Sequence, residues 1–134
     1  MITRLSERTL RRCLQWAALL LAIGLPLGLF IGGAQPVAVG LVPPPWDKMV
    51  HAMVFAVLAA AIGYASGLRG RVMPVVAFCG AMAVGAIDEW HQMYLPGRSA
   101  GWDDLAADAV GSALGTVLLH LRKRFQAWHR ITRH

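Results

Sequence analysis

The residues able to do chemistry fall in two short stretches. One is Asp47-Lys48-x-x-His51. The other runs from Asp88 to Asp108 and holds Glu89, His91, Gln92, Arg98, Asp103 and Asp104 between those ends. Of the chain's acids only Glu7 lies elsewhere. A histidine among carboxylates can move protons or help hold a divalent metal. Lys48 and Arg98 suit phosphate instead, one as a point charge and the other as a planar fork. Two readings follow. In the first, Lys48, His51 and Arg98 hold an anionic headgroup, such as the diphosphate of a lipid-linked precursor. Glu89, Asp104 and Asp108 then orient those cations, and Asp47, His91 and Gln92 complete the ligand-binding set. In the second, the chain is an enzyme. His51 with Glu89, His91 or Asp104 then holds a divalent metal or forms an acid–base pair acting on a phosphoester. The catalytic candidates are His51, Glu89 and Asp104, and the metal candidates His51, Glu89 and His91. No tight His-x-x-x-His or cysteine spacing marks a metal site, so binding is preferred and no cofactor is expected. A bland alternative is an ion-pair network closing one end of the fold. In it Asp47 and Asp104 are helix caps, and Asp88 and Asp103 are solvated loop charges.

The elements that must position these residues are helices. Four apolar runs, at about 14–31, 49–68, 72–87 and 105–121, lift the hydrophobic fraction to 57% and the mean hydropathy to +0.52. Each approaches the roughly 20 residues that cross a hydrocarbon core as a helix. A chain of 134 residues is one domain by length. The expectation is an all-α, multi-pass membrane protein, an antiparallel bundle of four transmembrane helices with basic ends at 1–13 and 122–134. The net charge of +6 would suggest nucleic acid in a soluble chain, but its placement argues otherwise. Arg4, Arg8, Arg11 and Arg12 precede the first run, Arg69 and Arg71 make the middle turn, and Arg122, Lys123, Arg124, Arg130 and Arg133 follow the last. The positive-inside rule therefore puts both termini in the cytoplasm and the two acidic stretches on the external side of a bacterial cytoplasmic (inner) membrane. No nucleic-acid partner is expected. The bilayer is.

Small residues recur every four positions in each run: Gly24, Gly28 and Gly32; Ala52, Ala56 and Ala60; Ala77, Ala81 and Gly85; Gly111 and Gly115. Such stripes allow close helix contact within the bundle or in a homo-oligomer. The face carrying Asp104, Asp108, Gly111 and Gly115 should look inward. Pro26 should kink the first helix. Cys13 and Cys79 read as ordinary apolar residues. Glu89 falls at a helix C-terminus, against the dipole, and so needs positive charge. With only two cations on that side, Arg98 is expected to pair with it, directly or through a bound headgroup.

These motifs resemble those of the VanZ-like family of bacterial membrane proteins. The resemblance rests on Asp47-Lys48-x-x-His51, Asp88-Glu89-x-x-Gln92, Pro96-Gly97-Arg98, Asp104, Asp108, Gly111 and Gly115, covering about residues 46–115. One position departs: Asp108 stands where the family often has Asn, which changes the local charge. The resemblance implies a multi-pass envelope protein, linked through the founding member to low-level teicoplanin resistance. Teicoplanin acts on cell-wall precursors outside the membrane, on the side where the acidic stretches are placed.

Overall fold

The chain folds into α1 (Ile2–Leu27), α2 (Trp46–Ala65), α3 (Val72–Gln92) and α4 (Trp102–Ile131), with no strand among the described residues. The computed structural model describes residues 2–131, so Arg133 and His134 of the basic C-terminal end lie outside them. Four helical spans are long and apolar enough to cross a membrane: Ser6–Gly32, Trp46–Ala65, Val72–Gln92 and Trp102–Phe125. The all-α, four-span architecture is as expected. The boundaries are not. The third helix runs on to Gln92 and so takes in Asp88 and Glu89, and the fourth continues through the basic tail. An apolar run ends at the first charge, whereas a helix continues through Asp, Glu, Lys and Arg at little cost in propensity.

The bundle is built on backbone contact. α2 packs most extensively against α4, and α3 against both. A Cβ at Gly111 would collide with the carbonyl oxygen of Ala52, and one at Gly115 with that of Ala56. The glycines therefore let α4 lie directly on the α2 backbone, where packing and not hydrophobicity holds helices together in lipid. Ala77, Ala81 and Gly85 are buried along α3, and Phe55, Leu58, Ala59 and Ala81 form the core cluster. The outward faces carry large side chains such as Leu20, Val57, Val75 and Leu118. Small residues inside and large apolar ones outside suit a lipid surround.

α1 lies at the side of this trio, and Leu25 of α1 and Leu29 of the turn that follows it pack against the core. Its glycine stripe was expected to make close contact, but nothing approaches Gly24, Gly28 or Gly32. Among the described residues nothing covers that face. After Pro26 the α-helix gives way to a π-helical turn at Gly28–Gly32. Pro26 has no N–H for the carbonyl of Ala22 and so interrupts the ladder in the turn before it.

The two ends of the bundle differ in chemistry. At the basic end Gly67 and Gly70 take left-handed backbone in the α2–α3 turn. Lys123 donates there to the carbonyls of Gly63 (3.4 Å) and Leu68 (3.3 Å), closing the C-terminus of α2. At the other end Trp46, Trp90, Tyr94 and Trp102 are exposed, a belt suited to a membrane interface.

Candidate functional site

The carboxylate end is organised in two layers. In the upper one Lys48, in the first turn of α2, reaches across to the first turn of α4. Its Nζ pairs with Asp47 (2.9 Å), with Asp103 (2.9 Å) and, closest of all, with Asp104. An ammonium has three hydrogens, and three carboxylates take them. Asp47 is not the N-cap of α2. Pro45 holds that position without a side-chain bond, because the helix starts two residues early, at Trp46. Asp103 is exposed, yet it belongs to this ion cluster and is not a free loop charge.

One turn deeper, His51 Nδ1 lies 2.9 Å from Asp108 Oδ1. Asp108 is 1% exposed, and the imidazole stacks parallel on Phe55. With Asp108 ionised the carboxylate only accepts, and in that state Nδ1 carries the shared proton and Nε2 is left for another partner. The residue beside His51 is thus Asp108, where the sequence suggested Glu89, His91 or Asp104. Gly85 makes the arrangement possible: a Cβ there would stand 2.8 Å from Asp108 Oδ2 and 3.1 Å from the Phe55 ring.

α3 contributes the third wall. Asp88 is 3% exposed and accepts from Gln92 Nε2 (2.8 Å), one helical turn on. It is a buried helical residue, not the solvated loop charge expected. Glu89 also turns inward, and its Oε2 accepts from the backbone N–H of Gly101 (2.7 Å), immediately before α4. The expected direct pair between Glu89 and Arg98 does not form. Glu89 opposes the dipole of its own helix but sits at the positive N-terminal end of the next. Arg98 instead donates through Nη2 to the carbonyls of Gly33 (3.0 Å) and Ala38 (3.3 Å). It straps the α3–α4 loop to the loop between α1 and α2.

His91 stands apart, edge-on to Phe30 of the π turn, 5.9 Å between ring centroids. His51, Glu89 and His91 therefore do not converge. Among the described residues no three His, Cys, Asp or Glu side chains are arranged to hold a metal. His51 and Glu89 each lie within electrostatic reach of Asp88, Asp104 and Asp108. Two carboxylate oxygens of this group, Glu89 Oε1 and Asp108 Oδ2, are buried with no partner.

Sequence reasoning missed the burial of Asp88, the role of Gly101 and the His51–Phe55 stack. The first had a signal: residues 77, 81, 85, 88, 89 and 92 continue one helical stripe. Nothing in the spacing of residues marks a backbone N–H as the partner of Glu89.

Comparison with known families matches residues 7–123, which cover nearly all of the four membrane-capable spans, to the family described as VanZ/LLP1. No curated protein and no solved structure matches the chain.

Proposed function

The chain belongs to the VanZ/LLP1 family, and from that premise we propose that its carboxylate end is a binding site for a primary ammonium group carried by a bacterial envelope molecule. The positive-inside argument places this end on the external side of the cytoplasmic membrane. Sources of such a group there are aminophospholipid headgroups and amine-bearing lipid-linked precursors. The observation that carries the reading is the pair of buried, unpartnered carboxylate oxygens on Glu89 and Asp108. Each orphaned acceptor costs on the order of 1–3 kcal/mol, and more when charged. An ammonium offers three donors and the opposite charge.

An anionic headgroup fits this end less well. Six carboxylates (Asp47, Asp88, Glu89, Asp103, Asp104 and Asp108) face two permanent cations. Lys48 is occupied by three carboxylates; Arg98 gives Nη2 to two carbonyls and keeps a buried Nε without a partner among the described residues. A phosphate would have to displace the carboxylates of Lys48 or reach the one free donor of Arg98, and then meet the surplus of negative charge. An amine-bearing ligand at the external surface also gives the family's link to teicoplanin susceptibility a physical setting.

Thermal unfolding in a neutral detergent tests the reading, with phosphatidylethanolamine or phosphatidylglycerol titrated in. Phosphatidylethanolamine should raise the Tm of the wild-type protein, and Glu89→Gln should lose most of that rise. Equal stabilisation by phosphatidylglycerol would overturn it.

One observation favours a second reading, acid–base catalysis on a phosphoester. Asp108 fixes the His51 Nδ1 proton and frees Nε2, the arrangement by which a carboxylate orients a general base. On that reading the pair is His51–Asp108, and Asp104 is a partner of Lys48. Turnover of a lipid phosphoester that disappears in His51→Gln would establish it.

A further inference from the structure

Below the His51–Asp108 pair the inner face of α4 stays polar. Asp104, Asp108, Ser112 and Thr116 follow at every fourth residue. Ser112 is fully buried and Thr116 is 6% exposed, and neither hydroxyl has a partner. The unpartnered Asp108 Oδ2 belongs to the same row. Hydroxyls on helices commonly return to the carbonyl one turn back, and these two do not. Buried polar groups without protein partners are normally satisfied by water. The spacing suits it: four helical residues rise about 6 Å, roughly twice an O–H···O distance of about 2.8 Å. One water between each successive pair would bridge the row from Asp108 to Thr116. The buried stripe of α3 in the bundle interior, Ala77, Ala81 and Gly85, is made of small residues.

The row stops at an apolar plug. A Cβ at Gly63 would stand 2.8 Å from Leu119 Cδ2, 3.0 Å from Ala77 Cβ and 3.1 Å from Met73 Sδ, so these side chains close around one point. Met73 is 1% exposed and Leu119 7%. Beyond it lies the basic end with Lys123. Hydrophobic constrictions of this kind exclude water and stop ions.

We propose that Asp108, Ser112 and Thr116 line a hydrated half-channel that admits protons from the carboxylate end, and that Met73 and Leu119 shut its inner end. The charges around the mouth favour a cationic carrier. α2 contributes Lys48 and His51, α3 contributes Asp88 and Glu89, and α4 contributes Asp104 and Asp108. The proposal goes beyond ammonium binding, because it rests on Ser112, Thr116 and the plug.

Proteoliposomes loaded with a pH-sensitive dye, under a potassium diffusion potential, test it. The wild-type protein should hold the proton gradient, and Leu119→Ala should dissipate it about tenfold faster, as an opened constriction would. Adding Ser112→Ala and Thr116→Val should restore tightness, whereas Ser112→Ala alone with Thr116→Ser should leave part of the leak. Met73→Ala is the second opening variant should Leu119→Ala fail to stay monodisperse. Opening variants as tight as wild type would overturn the half-channel. So would a leak that survives loss of both hydroxyls, since it would then come from a loosened bundle. A wild-type leak equal to that of Leu119→Ala would overturn the plug.

Discussion

Replacing His51 by Ala should be among the most destabilising single changes in this bundle. Asp108 is 1% exposed, and among the described residues His51 Nδ1 at 2.9 Å is its one side-chain partner. Without it both carboxylate oxygens stand unpaired, in reach of Asp88, Asp104 and Glu89. Leaving a buried charge without its partner costs about 3–5 kcal/mol. Asp108→Asn should cost far less, about 1 kcal/mol, because the amide oxygen can still accept from Nδ1 while the charge is gone. The double variant should then recover most of the loss, a coupling of about 2–3 kcal/mol, within the range for residues in direct contact. Asp103→Asn, in an exposed carboxylate of the upper cluster, serves as the control and should change little. The assay is a double-mutant cycle on unfolding in detergent micelles, read by circular dichroism. Strictly additive effects of His51→Ala and Asp108→Asn would refute the pairing and the orphaned-charge argument built on it.

Other outcomes follow from the same geometry. Gly115→Val, against the Ala56 carbonyl, should separate α2 from α4 and cost several kcal/mol (overpacking alone costs about 1–3), while Gly24→Val on the open face of α1 should be nearly neutral; comparing the two Tm values checks this. Arg98→Ala should expose the loop between Gly33 and Ala38 to proteolysis, whereas Arg69→Ala should not. Glu89→Gln should bring no rescue of Arg98→Ala, because Glu89 bonds Gly101 and not Arg98. Alkaline phosphatase fused at Gly101 should be active and a cytosolic reporter at the C-terminus fluorescent; the reverse pattern would invert the topology.

Much of the architecture was legible because it depends on composition and periodicity. The four apolar runs mark the four spans, and Gly111 and Gly115 in phase with Asp104 and Asp108 mark the inward face of α4. Helix ends were less legible, since Asp88 and Glu89 are as compatible with the last turn of α3 as with a loop. The pairing of charges was least legible. Counting side-chain charges suggested Glu89 with Arg98, but backbone groups competed and won: the Gly101 N–H for one, the Gly33 and Ala38 carbonyls for the other. Lys48 and Arg98 looked like free phosphate ligands for the same reason. Apart from Asp47 beside Lys48, their partners come from α4 and from the α1–α2 loop, brought near only by the fold.

Native mass spectrometry from nanodiscs holding equal amounts of phosphatidylethanolamine and phosphatidylglycerol tests the central claim most directly. The wild-type protein should leave the disc retaining phosphatidylethanolamine, and Glu89→Gln and Asp108→Asn should each lose that preference. Preferential retention of phosphatidylglycerol, or a preference for phosphatidylethanolamine undiminished in both variants, would contradict it.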